Sequence, residues 1–246
     1  KHRIVWSKNE VVNNINQIIH PTVKGVFRFL KINKGLEIHY QGDLQKNSGL
    51  GTSSSFCVGL INSLMTLNNK KISNKELASK AIYIEQKIMK ENSGSQDAIW
   101  ASYGGFNSIK FNNNKFTVNK IKITKDNLDE LSKNLFLIYT GINKFSNNIE
   151  KDKISNLRSN IKYLSTIYEL AKELEKNIHQ MKNFNYIGSI LNEYWNIKKK
   201  LSSKVSNVKI DEIYNESLSA GASGGKIIGS GGGGFLLIYC KKKFHS

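Results

Sequence analysis

The stretch Asp43–Phe56, D-L-Q-K-N-S-G-L-G-T-S-S-S-F, most narrows what this chain can fold into. Gly49 and Gly51 flank a leucine, and Thr52, Ser53, Ser54 and Ser55 follow as a run of hydroxyls. An apolar pattern at helical spacing then begins: Phe56, Leu60, Ile61, Leu64 and Leu67. The mouth of such a helix carries unpaired backbone N–H groups and a partial positive charge. The glycines let the backbone approach an anion closely and adopt positive φ. The hydroxyls can cap the helix, donate to phosphate or ligate Mg²⁺. On these residues alone, a glycine turn closed by an ordinary serine cap fits as well as a phosphate cradle. The stretch is not a Walker A loop, because no G-K-S/T follows.

Two further constellations stand out. Ser73 and Glu76 form a capping-box pair for a helix from Asn74 to about Lys90. On its wheel Leu77, Ala78, Ala81, Ile84, Ile88 and Met89 share a face, and Glu85 falls inside that face. A carboxylate on a buried stripe is costly unless it is paired or binds a metal. Asp97 follows in N-S-G-S-Q-D-A-I-W-A-S-Y-G-G-F, read as a loop of turn formers, an acid and aromatics. It is either a simple cap or a partner for Glu85 at one site. The third constellation is G-A-S-G-G-K-I-I-G-S-G-G-G-G-F-L-L-I-Y-C, Gly221–Cys240. Apolar strand-like runs border its glycines, so a linker is excluded. Gly229, Gly231 and Gly234 match G-x-G-x-x-G by spacing, but a strand follows them rather than a helix. A tight glycine turn between Lys226–Ile228 and Phe235–Tyr239, pressed against a ligand or another backbone, fits better.

The remainder reads as α+β. Residues 10–30 look helical, broken at His20-Pro21, and Gly35–Tyr40 alternates as a strand. Strand-like runs cover Phe106–Phe111, Phe116–Ile123 and Leu135–Tyr139. From Asn147, Ile154, Leu157, Ile161, Leu164, Tyr168, Ala171, Leu174 and Ile178 mark a long amphipathic helix, with further helices near Tyr186–Leu201 and Ile210–Ala220. With 246 residues and 39% hydrophobic content, the chain can bury a sizeable core. No apolar run approaches the roughly 20 residues that cross a bilayer. The start, K-H-R-I-V-W-S-K-N-E, lacks the apolar segment of a signal peptide. Cys57 and Cys240 both lie in apolar runs, so they read as small buried hydrophobes, and a cytoplasmic location is expected. The net charge of +18 comes from lysines spread along the chain. Short clusters such as Lys198–Lys200 and Lys241–Lys243 read as a solvated basic surface that attracts anionic substrates. No specific nucleic acid and no membrane partner is expected.

Taken in order, the three constellations resemble the GHMP kinase family of galactokinase, homoserine kinase, mevalonate kinase and phosphomevalonate kinase. Asp43–Phe56 is similar to the family's second motif, P-x-x-x-G-L-G-S-S-x-x, and Gly221–Cys240 to its third, G-A-x-G-G-x-x-x-G-x-G-G-G-G. The resemblance is closer to the sugar-kinase branch that includes D-glycero-D-manno-heptose 7-phosphate kinase. It is carried by R-I-V-W-S-K-N-E at Arg3, H-P-T-V at His20, G-S-Q-D at Gly94, Y-G-G-F-N at Tyr103 and Y-T-G-I at Tyr139. It implies an N-terminal domain like ribosomal protein S5 domain 2 over 1–132 and a ferredoxin-like C-terminal domain over 133–246, with ATP between them. By the same resemblance Ser48, Gly49, Leu50, Gly51, Thr52, Ser53 and Ser54 wrap the nucleotide phosphates. Glu85 holds Mg²⁺ with Thr52 or Ser53, Asp97 orients or deprotonates the sugar hydroxyl, and Gly229–Gly234, with Gly231, Gly232 and Gly233 at its centre, lines the floor. Departures are Gln45 and Asn47, where the family has proline and glycine, and Thr52, where it has serine. The family's first motif, a strand and a G-G-G-T-D-like loop, has no counterpart, which implies a kinase incomplete at both ends. The expected activity is phosphorylation of a sugar or sugar phosphate by Mg-ATP, heptose 7-phosphate at its anomeric hydroxyl foremost, feeding nucleotide-sugar and surface-polysaccharide synthesis. A galactose- or fucose-type kinase and a non-catalytic binding module with the kinase fold are the rivals, and a homodimer is among the assemblies allowed.

Overall fold

The computed structural model describes residues 1–44, 48–113, 115–143, 146–178 and 184–244. The chain divides into two compact units, Lys1–Lys46 with Gly51–Gly105, and Asn47–Leu50 with Phe106–Ser246. Both mix helices and sheet, as the α+β expectation requires. No helix among the described residues is long and apolar enough to cross a membrane.

In the first unit, β1 (His2–Val5) pairs antiparallel with β2 (Asn9–Val12) and parallel with β3 (Glu37–His39). Helices α1 (Pro21–Leu30), α2 (Thr52–Leu67), α3 (Asn74–Tyr83) and α4 (Gln96–Tyr103) pack with this sheet around Ile4, Val23, Phe27, Ile61 and Ile84. The helix expected from residue 10 is a strand at its start. The β-branched Val11 and Val12 take up pairing with Arg3 and His2. Glu10 is turned inward, where Oε1 accepts from the Trp6 indole N–H at 2.8 Å and the His20 N–H at 3.1 Å, and Oε2 from the Ile19 N–H at 2.6 Å. Helix α1 opens where proline is best tolerated, with Pro21 in its first turn and His20 as cap. The Ser73–Glu76 capping box is present at the head of α3. Residues Ile84–Ile88 then wind as a π turn, a wider coil that re-aims the side chains after Tyr83.

In the second unit, β4 (Asn107–Asn112) and β5 (Lys115–Lys120) form an antiparallel pair. An unforeseen helix, α5 (Lys125–Asn134), is capped by Thr124 and leads into β6 (Leu135–Tyr139). Helices α6 (Ser146–Ser155), α7 (Leu157–Asn177), α8 (Asn185–Lys198) and α9 (Val208–Ser219) follow, then β7 (Ala222–Ile227) and β8 (Phe235–Cys240). The sheet runs β6-β8-β7, all antiparallel, with α8 packed along β7. The expected single long helix breaks at Asn156. Its stripe Ile154, Leu157, Ile161, Leu164 and Tyr168 is exposed, whereas Leu170 and Ile178 are buried. Strand β7 begins at Ala222, earlier than expected, so its glycines belong to the strand as well as to the turn. Cys57 is buried as expected, and Cys240 is half-buried.

Replacing Glu10 with alanine leaves three donors without their acceptor in or beside the core. Glu10→Ala should therefore lower folding stability by about 3 kcal/mol, read as a fall in the chemical-denaturation midpoint. An unchanged midpoint would show that water replaces the carboxylate.

Candidate active site

In the first unit, the helix that follows the glycine stretch opens on Gly51 and not on a serine cap, one of the two readings its residues alone left open. Gly51 is the N-cap residue of α2, in the left-handed conformation at φ 70°, ψ 20°. It offers no side-chain oxygen, and the first intrahelical bond runs from the Ser55 N–H to the Gly51 carbonyl at 2.9 Å. Thr52, Ser53 and Ser54 occupy the first turn, half-buried, exposed and buried respectively, and no cap to their N–H groups is found among the described residues. An added Cβ on Gly51 would lie 3.2 Å from Cγ and 3.3 Å from Oδ2 of Asp97. The Asp97 carboxyl therefore packs against the backbone at the mouth of α2, and two separate sequence constellations meet there.

Asp97 is not on a loop. It lies in the first turn of α4, where a carboxylate suits the helix dipole. The segment leading to it is held by Gln86, whose amide donates to the Ser93 carbonyl at 2.9 Å and to the Ser95 hydroxyl at 3.2 Å.

Glu85 sits in the π turn and is 1% exposed. Neither of its carboxylate oxygens has a hydrogen-bond partner among the described residues. Burial pushes its carboxyl up to about 7; the Ser54 hydroxyl pulls it down, and the charges of Glu91 and Asp97 push it further up. Ser54 is thus close enough to act on Glu85, but it makes no hydrogen bond of good geometry to it. Glu91, which the sequence reading passed over, is raised by burial as well. Its N–H donates to the Glu85 carbonyl at 2.9 Å, which ties it to the π turn. Glu85, Glu91 and Asp97 thus form a partly desolvated acidic group beside an uncapped helix start.

In the second unit, Ser48 is 1% exposed, and its hydroxyl has no hydrogen-bond partner among the described residues. Its carbonyl accepts from the Phe235 N–H at 3.2 Å, which ties the G-L-G stretch to the start of β8. Gly234, at φ 79°, makes this approach feasible, since an added Cβ would stand 2.0 Å from the Ser48 oxygen. Gly49 and Leu50 belong to the same unit and are half-buried. The turn between β7 and β8 is anchored by the Gly232 N–H to the Val205 carbonyl at 2.7 Å and the Gly234 N–H to the Ile142 carbonyl at 2.9 Å. Gly233 lies between these anchors and Gly231 just before them. Gln45 and Asn47, the departures from the second motif, lie outside the described residues.

One residue was misread from sequence. Lys198 begins what looked like a solvated basic cluster, yet it is 3% exposed, with its ammonium donating to the carbonyls of Ile227 at 3.1 Å and Gly229 at 2.5 Å. The signal was there: Lys198 follows Ile187, Ile190 and Trp195 on the buried face of α8.

Comparison with known proteins gives a consistent result. The sequence profile described as GHMP kinases N terminal domain matches residues 18–105, and that described as GHMP kinases C terminal matches 166–245. A D-glycero-alpha-D-manno-heptose 7-phosphate kinase of Campylobacter jejuni is 31% identical over 214 residues, 86% of this chain and 63% of the relative. A bifunctional fucokinase/GDP-fucose pyrophosphorylase of Arabidopsis thaliana is 28% identical over 222 residues, 84% of this chain and 20% of that protein. The chain therefore spans under two thirds of either relative. Among solved structures, a D-glycero-D-manno-heptose 1-phosphate kinase from Bacteroides thetaiotaomicron superposes with a TM-score of 0.78 at 23% identity, over 98% of this chain and 73% of the other. Both profiles, in chain order on the two folded units, identify the chain as a member of the GHMP kinase family.

Proposed function

We propose that this chain carries the phosphoryl-transfer machinery of a sugar or sugar-phosphate kinase, with heptose 7-phosphate as acceptor at its anomeric hydroxyl. The observation that carries the reading is Glu85: a carboxylate buried in the first unit, without a hydrogen bond, beside an uncapped helix start on which Asp97 packs. Similarity to the Campylobacter heptose 7-phosphate kinase supports the acceptor class, and similarity to the Arabidopsis fucokinase marks the rival one.

The residues present fit Mg²⁺. Two orphaned carboxylate oxygens on Glu85 suit a hard cation, with the Thr52 and Ser53 hydroxyls in the neighbouring first turn. A Mg²⁺ of nucleotide enzymes usually takes one or two protein carboxylates and completes its shell with phosphate and water. When bound, Mg²⁺ neutralises charge developing on the β- and γ-phosphate oxygens.

Each remaining role belongs to the chain. The uncapped N–H groups and hydroxyls of Thr52, Ser53 and Ser54, following Gly51, bind phosphate oxygens. Ser48, Gly49 and Leu50, with Gly231, Gly232 and Gly233, are proposed as further nucleotide contacts in the second unit. Asp97 accepts the proton of the attacking hydroxyl as the new P–O bond forms and the bond to ADP breaks. With heptose 7-phosphate the product is a 1,7-bisphosphate, whose 7-phosphate a phosphatase must remove before nucleotidyl transfer at C1.

Three outcomes test this. Mg-ATP should raise the melting temperature of the wild type, and ADP release should follow addition of heptose 7-phosphate in preference to fucose or galactose. A chain that binds no nucleotide would instead be a binding module with the kinase fold. Asp97→Asn should lower kcat by about 100-fold or more while Mg-ATP binding persists; full activity in the folded variant would remove Asp97 from the chemistry. Glu85→Gln should raise the Mg²⁺ requirement about tenfold.

A pH test follows from the raised Glu85 carboxyl. Folded protein retains a proton that the unfolded chain releases between 4.5 and about 7, so the metal-free fold loses stability as pH rises through that window. Between pH 5 and 8 the stability difference should move in favour of Glu85→Gln by up to about 3 kcal/mol. A constant difference across that range would mean that Glu85 titrates normally.

A further inference from the structure

The turn between β7 and β8 is held from behind by two ammonium groups. Lys198, at the end of α8, donates to the carbonyls of Ile227 and Gly229 at 3.1 and 2.5 Å. Lys153, on α6, donates to the Ser230 carbonyl at 2.7 Å and to Glu150 Oε1 at 3.0 Å. Lys198 is 3% exposed, and its ammonium also stands 5.6 Å from the centre of the Tyr194 ring. Burying an ammonium is costly, and charge-assisted bonds to carbonyls and an aromatic face offset part of that cost.

The consequence is directional. In a trans peptide the C=O and the following N–H point to opposite sides of one plane. A Gly229 carbonyl fixed on Lys198 sends the Ser230 N–H away from that lysine, and a Ser230 carbonyl fixed on Lys153 does the same for the Gly231 N–H. Neither N–H meets a backbone acceptor among the described residues, whereas those of Gly232 and Gly234 do. Successive free N–H groups in a glycine turn form an anion-binding concavity. Ammonium groups bonded to the same peptides further polarise them as donors.

We propose that Lys198 and Lys153 are positioning residues for the nucleotide: they hold the peptides at 229–231 so that the Ser230 and Gly231 N–H groups donate to phosphate oxygens. This rests on the nucleotide-binding reading above. Neither lysine need touch the ligand, which separates their role from that of a surface cation that merely attracts it.

Titration calorimetry of the full chain with Mg-ADP tests the idea. Lys153→Met should bind Mg-ADP about tenfold more weakly, because one charge-assisted anchor is lost, and Lys153→Arg should restore binding. Glu150→Gln removes the ion pair but not the carbonyl contact, and should bind within about twofold of wild type. Lys198→Met should match or exceed the loss in Lys153→Met; if it does not fold, Lys153→Met and its arginine rescue decide alone. Folded lysine variants that bind Mg-ADP like wild type would overturn this proposal and leave the kinase reading standing. A wild-type chain that binds no Mg-ADP would overturn both. A loss in Lys153→Met that Glu150→Gln reproduces would assign the effect to the ion pair and overturn the positioning role.

Discussion

Keeping the Glu85 carboxylate buried, with no hydrogen-bond partner among the described residues, is the constraint around which the first unit is arranged. A charged group so placed either neutralises or finds a cation, and its raised carboxyl shows which way the metal-free fold leans. Leucine or methionine at this position would pack at lower cost. The fold tolerates the carboxylate where a π turn lifts it from the α3 stripe towards Ser54. Gln86, the next residue, bonds Ser93 and Ser95 and so holds the approach to Asp97. One local widening of the helix thus places the proposed metal ligand and steadies the segment that carries the proposed base.

The second unit solves a different problem, the close approach of backbones. Gly234 and Ser48 come together at a distance no side chain permits, and the β7–β8 turn is stitched to Val205 and Ile142 through alternate peptides. The Ser230 and Gly231 N–H groups, just before those stitches, meet no backbone acceptor among the described residues, and the carbonyls of Gly229 and Ser230 are taken by Lys198 and Lys153. Glycine supplies conformations there, and the proposal is that buried Lys198 and half-buried Lys153 select among them. The two units thus reach anion-ready backbone by separate routes, an uncapped helix start in one and a pinned glycine turn in the other.

Much of this was legible in the sequence, for stated reasons. The Ser73–Glu76 box, the apolar face around Glu85 and the apolar borders of the glycine cluster are local patterns, and local patterns survived. Asp97 was placed on a loop because Asn92, Ser93, Gly94 and Ser95 are turn formers; they lead into a helix rather than replace it. Residues 10–12 read as helix because E-V-V-N-N-I mimics helical spacing, and only pairing with β1 and the three donors converging on Glu10 make them part of a strand. The stripe Ile154 to Tyr168 has heptad spacing yet faces out. Spacing tells that a face is apolar, not what covers it. Lys198 was misread for the opposite reason: three consecutive lysines suggested surface, although the first continues a buried stripe.

The most direct measurement is nucleotide-dependent binding of Mn²⁺ as a paramagnetic stand-in for Mg²⁺, followed by electron paramagnetic resonance. The account predicts Mn²⁺ binding that appears only with ADP or ATP present and is weakened about tenfold in Glu85→Gln with the fold intact. Nucleotide-dependent Mn²⁺ binding of equal strength in wild type and Glu85→Gln would contradict it.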